Sequence, residues 1–130
     1  MSAQSPETKN ILVVDDSPTM RRMVMASLRT LPAVSFGEAG SGLETIERLA
    51  LKPVDLVVLD LNMPDMHGLE VIEFLRGHQS YRSIPVIVLT TRGDDTSRAD
   101  ALAAGASIYL TKPFNPNELM AQARKLLNTD

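Results

Sequence analysis

Five short apolar runs, each followed by a stretch of helical periodicity, set the narrowest limit on what this chain can fold into. They fall at residues 11–14, 34–39, 56–59, 85–89 and 106–110. Those at 11–14, 56–59 and 85–89, short and rich in Val, Ile and Leu, are too brief for helices and read as buried strands, while 34–39 reads as a weaker second strand and 106–110 as the fifth. Five such strands alternating with five helices predict an α/β domain, a parallel sheet covered on both sides with right-handed crossovers.

The helix signals are local. Ser17 and Pro18 supply an N-cap and a first-turn proline, after which Met20, Met23, Val24, Ser27, Leu28 and Leu31 recur at helical spacing until Pro32. We read those methionines as core packing rather than as a partner-binding face. Ser41 and Glu44 form an S-x-x-E capping box for a helix to about Leu51. Gly40 and Gly42 lack the rest of a phosphate loop and read as turn residues. Leu69, Ile72 and Leu75 share a face of a helix spanning about 68–76, with Gly77 as its stop. Asp94 and Asp95 open a fourth helix at its positive end, and Gly105 caps it. Ala99, Ala101, Ala103 and Ala104 give that helix propensity but little bulk, so its packing should be light and its position easy to shift. Asn115, Pro116 and Glu118 start the last helix, which ends near Asn128.

At 130 residues and 44% apolar content, the chain suits a single domain at 10–128 behind a loose polar tail at 1–9. A net charge of -3 disfavours direct nucleic-acid binding. No run approaches the roughly 20 apolar residues of a spanning helix, and the polar start is no signal peptide, so we expect a cytoplasmic protein without membrane attachment. The chain has no cysteine, which excludes disulfides and thiolate chemistry. His67 and His78 have no metal-ligand spacing and read as surface histidines.

What the strands deliver at their carboxyl ends is the functional signal. The first ends on Asp15 and Asp16, the third on Asp60, the fourth on Thr90 and Thr91, and the fifth on Thr111 and Lys112. Ligands of open α/β sheets sit beyond these ends. Three carboxylates held close repel one another unless a hard, oxygen-loving cation neutralises them, and Mg2+ is the natural choice. With Lys112 as a compact cation and Thr90 as a hydroxyl donor, the set matches the needs of phosphoryl transfer: a carboxylate nucleophile, a metal, and groups for the remaining charge.

These residues resemble the receiver domain of two-component response regulators, of CheY-like type. The likeness covers about residues 10–127 and rests on LVVDDSPTMRR, LVVLDLNMPDMHG, VIVLTT and YLTKPF. It implies a flavodoxin-like (βα)5 doubly wound fold with strand order 2-1-3-4-5. It implies Asp60 as phosphoacceptor from a histidine kinase, and Asp16 as a direct Mg2+ ligand, with Asp15 acting largely through water and the Asn62 backbone carbonyl completing the set. It implies Thr90 and Lys112 as the phosphoryl-contacting pair, a cis peptide at Pro113, and Tyr109 as a switch aromatic that turns inward as Thr90 moves. Thr91, Arg92 and Asn62 fall where the family tunes phosphoryl lifetime. The implied readout surface for a downstream protein is the helix after Thr91, the Tyr109 strand and the last helix, in a process leaning towards chemotaxis or motility.

Asp94, Asp95 and Gln122 stand where the motor-binding members carry basic residues, which argues against a flagellar-motor target. The alternatives are the receiver segment of a hybrid kinase or multidomain regulator and, from another class, an aspartyl phosphatase-type enzyme. The latter expects an acid two residues after its nucleophile, where this chain has Asn62. A flavin carrier is disfavoured by aromatics at 4% and the absence of a phosphate loop. On the receiver reading the chain is no enzyme beyond its own phosphorylation and dephosphorylation.

Overall fold

The computed structural model describes residues 8–128. Its elements are β1 (Lys9–Val14), α1 (Pro18–Leu28), β2 (Val34–Ala39), α2 (Gly42–Leu51), β3 (Leu56–Leu59), α3 (Gly68–Gly77), β4 (Val86–Thr90), α4 (Asp95–Ala104), β5 (Ile108–Thr111) and α5 (Pro116–Leu126). The strands form one sheet in the order β2-β1-β3-β4-β5, and every neighbouring pair is parallel. This is the expected fold. Most of the tail expected at 1–9 lies outside the described residues, but its boundary shifts, because Lys9 already pairs with Val34 as the first residue of β1.

The apolar runs are explained by a core on each side of the sheet. Leu12, Val14, Val57, Leu59, Val86 and Val88 pack with α2, α3 and α4, while the alternate residues Ile11, Val13, Leu56, Val58, Ile87 and Leu89 pack with α1 and α5. Successive side chains of a strand point to opposite faces, so a strand covered on both faces must be apolar throughout.

Three local expectations are corrected. The first helix stops at Leu28, not near Leu31: Arg29 is its C-cap, and Ala33 turns the chain with φ 54°. Leu31 is buried all the same, packed from the turn rather than from the helix. Met25, not Met23, is buried, and Met23 is 50% exposed, so only part of the methionine cluster is core. Gly77 is the last residue of α3 rather than a left-handed stop. His78 ends the helix in an extended conformation, with its ring stacked on Tyr81 at 4.4 Å.

α4 is the lightly packed helix. Only Ala101 is buried on it, and Leu102 is 44% exposed. Its carboxyl end is the better-held one. Gly105 caps it with φ 119°, and the Arg76 guanidinium donates two bonds to the Gly105 carbonyl, at 3.1 and 2.8 Å.

Gly68 lets α3 begin directly against the end of β3. A Cβ there would lie 2.7 Å from the Leu61 Cα and 2.9 Å from the Asp60 carbonyl oxygen, atoms of the backbone that cannot swing aside. Gly68→Ala should therefore destabilise the fold by about 1–3 kcal/mol. Urea denaturation measures this, and an unchanged midpoint would contradict the close approach.

Candidate functional site

The sheet order makes β1, β3, β4 and β5 consecutive neighbours, so the residues that follow their carboxyl ends meet. Asp15 and Asp60 are 4% and 7% exposed, Thr90 is fully buried, and Asp16 faces solvent. One carboxylate oxygen from each of Asp15, Asp16 and Asp60 lies within 4.8 Å of the others. The Lys112 ammonium enters this cluster from β5 and donates to Asp15 Oδ2 at 2.7 Å and Asp60 Oδ2 at 3.4 Å. The Lys112–Pro113 peptide is cis.

The two buried acids, Asp15 and Asp60, each have a backbone partner as well. The Ser17 amide donates to Asp15 Oδ1 at 2.9 Å, and the Asn62 amide to Asp60 Oδ1 at 3.3 Å. Lys112 therefore neutralises one of three clustered charges and leaves the site negative. The donors are all oxygens, with neither histidine nor cysteine among them, which is the set a hard divalent cation takes. Beside Asp16 and Asn62 the surface opens into a depression of about 410 Å³ bordered by Met63, Asp65 and His67, so the exposed side of the cluster can be reached from solvent. A second cavity, about 250 Å³ beneath the end of α2, is lined by neither acid nor histidine and lies away from this chemistry.

Thr90 is joined to the fifth strand by the Lys112 amide, which donates to the Thr90 carbonyl at 2.8 Å. Its hydroxyl accepts from the Arg92 amide at 3.4 Å. Arg92 is also where Tyr109 attaches, since the Tyr109 hydroxyl donates to the Arg92 carbonyl. The backbone of one exposed residue thus connects Thr90 to Tyr109. The Tyr109 ring is 5% exposed, with the Arg98 guanidinium 5.0 Å from its centroid, so it is buried and already inward. Thr91 is exposed and away from the acids' hydrogen bonds, whereas the Arg92 guanidinium turns to the start of α4 and donates to Ser97 Oγ at 3.1 Å.

Sequence reasoning missed three supports of this site. Arg21, from α1, donates to the Asp15 carbonyl at 2.6 Å and to Glu38 at 2.8 Å. Asp65 reaches across to the first turn of α2. His67, expected as a plain surface residue, caps α3: its Nδ1 accepts from the Leu69 amide while Glu70 accepts from its own. The last had a signal in the H-x-x-E spacing. The other two join residues with no periodic relation.

Burial pushes the Tyr109 phenol above its usual value, and the nearby Asp94 carboxylate acts in the same direction. A raised folded value means that the stability contributed by the neutral phenol is complete below about pH 10 and is lost as pH rises through the folded value. Tyr109→Phe should cost about 1 kcal/mol at pH 8 and decline less steeply than the wild type between pH 10 and 11. Chemical denaturation at these values checks it, and parallel declines would contradict the assignment.

Comparison with known proteins points to one family. The family model described as "Response regulator receiver domain" matches residues 11–124. Chemotaxis protein CheY1 of Helicobacter pylori is 37% identical, over 92% of this chain and 98% of that protein. The transcriptional regulatory protein KdpE of Mycobacterium tuberculosis is 40% identical over 88% of this chain, which spans only 49% of KdpE. The structure of chemotaxis response regulator CheY4 of Vibrio cholerae superposes with a TM-score of 0.84 at 30% identity, covering 93% of this chain and all of that one. The chain belongs to the receiver domain family of two-component response regulators.

Proposed function

We propose that the chain accepts a phosphoryl group on Asp60 from the phosphohistidine of a kinase in the cytoplasm, and that this changes how one face meets a protein partner. The observation that carries the reading is the Lys112 ammonium held between Asp15 and Asp60, with Asp16 beside them. The family membership supports it.

In the step itself, an Asp60 oxygen forms the new P–O bond as the P–N bond to the donor imidazole breaks, and the leaving nitrogen keeps the electron pair and takes a proton. Lys112 and the Thr90 hydroxyl would carry charge on the phosphoryl oxygens. Asp15, Asp16, Asp60 and the Asn62 carbonyl would hold Mg2+, which when bound supplies the positive charge that lets anionic donor and anionic acceptor approach.

Signalling follows from the Thr90–Arg92–Tyr109 connection. A Thr90 hydroxyl drawn to the phosphoryl group carries the Arg92 backbone with it, and Tyr109 is bonded to that backbone. The shift is then between the arrangement described here and one with Tyr109 turned outward, biased by the modification. The lightly packed α4 adjusts at its amino end while Arg76 holds its carboxyl end. The readout face is α4, β5 and α5, and Thr91 and Arg92, which follow Thr90 in the chain, tune the phosphoryl lifetime together with Asn62. Chemotaxis is the process we favour, although Asp94, spent on capping α4 through Ser97, makes that face unlike a motor-binding one. The match to half of KdpE favours a second reading, the receiver segment of a multidomain regulator.

Incubation with a small acyl phosphate and Mg2+ should add about 80 Da, one phosphoryl group, to the wild type and nothing to Asp60→Asn. Intact mass measurement reads this. No gain in the wild type, or an equal gain in the variant, would overturn the proposal.

A further inference from the structure

The loop between β3 and α3 carries Asp60 at its start and Asn62 just beyond, and it is held at two points. At its base the Gly68 amide donates to the Leu61 carbonyl at 2.9 Å. At its tip the Asp65 carboxylate spans the first turn of α2, where Oδ1 accepts from the Gly42 amide and Oδ2 from the Leu43 amide, each at 3.0 Å. These amides have no partner within their own helix, and their positive end favours a carboxylate. The next amide, that of Glu44, is taken by Ser41 Oγ at 3.1 Å, so the two acceptors divide the helix start between them.

The approach that permits this is close. A Cβ on Gly42 would lie 2.6 Å from the Met66 Cβ, so α2 can meet the loop only because that position is glycine. The bonds are made to the ionised carboxylate, and they hold the Asp65 carboxyl below its usual range, the Leu43 amide contributing most and the Gly42 amide next. Asn62, Pro64, Asp65 and His67 are all exposed, so besides the partial burial of Met63 and Met66 it is Asp65 that fixes the loop tip to the rest of the fold.

We infer that Asp65 is a positioning residue for the metal site: by binding the start of α2 it holds the loop so that the Asn62 carbonyl and the Asp60 carboxylate are preorganised for Mg2+ and for the incoming phosphoryl group. Asp65 itself touches neither. Its contribution is the ordering of the loop before the cation arrives, which a loosened loop would have to supply at the moment of binding. This rests on the proposed acceptor function of Asp60.

The test is calorimetric titration with Mg2+ of the wild type, Asp65→Ala, Asp65→Asn and Ser41→Ala, at a temperature where circular dichroism shows each to be folded. Ser41→Ala removes the other acceptor from the same helix start and leaves the loop tied. Asp65→Ala should weaken Mg2+ binding by about 10-fold. Asp65→Asn, which keeps one acceptor oxygen and serves if the alanine variant does not fold, should fall in between, and Ser41→Ala should match the wild type. Equal affinity in all four would overturn the positioning role while leaving the acceptor site intact. So would equal weakening by Ser41→Ala, which would reduce Asp65 to a stabiliser of α2. A wild type that binds no Mg2+ would overturn both the acceptor reading and this one.

Discussion

The Lys112 ammonium between Asp15 and Asp60 is the interaction on which the rest of the structure depends. The three side chains are 10% exposed or less, and they come from strands whose residues lie 97 and 52 positions apart. Burying two carboxylates side by side is unfavourable, and a partly buried charge left without its partner costs on the order of 3–5 kcal/mol. The two carboxylates therefore obtain their cationic partner only from the segment that follows the fifth strand. Lys112 does not finish the neutralisation, because Asp16 remains beside it on the solvent side. That residual negative charge suits a hard cation, which on the proposed function would in turn offset the charge of a phosphoryl group.

The fold supplies this meeting with little freedom to spare. Strand order β2-β1-β3-β4-β5 places the four strands that lead into the candidate site side by side, with the two that end on acids adjacent and the one that leads to Lys112 at the edge. Both faces of the sheet are packed, so the strand ends are anchored by a core that has no reason to move. Mobility is left to the loops and to α4, whose single buried residue contrasts with α3, where Val71, Ile72 and Leu75 are fully buried. A rigid acid cluster next to a lightly held helix is the division of labour that a modification-driven shift requires.

The strands and the acids were legible because their signals are local. A run such as LVVL followed by Asp60 declares burial on both faces and then a polar end, and Thr90 and Lys112 repeat that signature on later strands. Ser17, Ser41 and Asp94 were readable as helix starts for the same reason, each accepting from an amide three residues on. Much of what escaped depends on a partner remote in sequence. Asp65 lies 23 residues from Gly42, and Arg76 lies 29 from Gly105, each meeting only backbone, which has no composition to read. The end of α1 was missed because Leu31 is apolar and in phase yet packs from a turn. Met23 shows that helical spacing says which residues share a face, not how wide a stripe of that face the neighbours cover.

The most direct test of the convergent site is a crystal structure grown with Mg2+ and beryllofluoride, a tetrahedral stand-in for the phosphoryl group. Beryllium should be bonded to an Asp60 oxygen, with its fluorides within hydrogen-bond reach of Lys112 and Thr90 and the metal on Asp15, Asp16, Asp60 and the Asn62 carbonyl. A fluoroberyllate attached to another residue, or a metal seated away from the three acids, would contradict it.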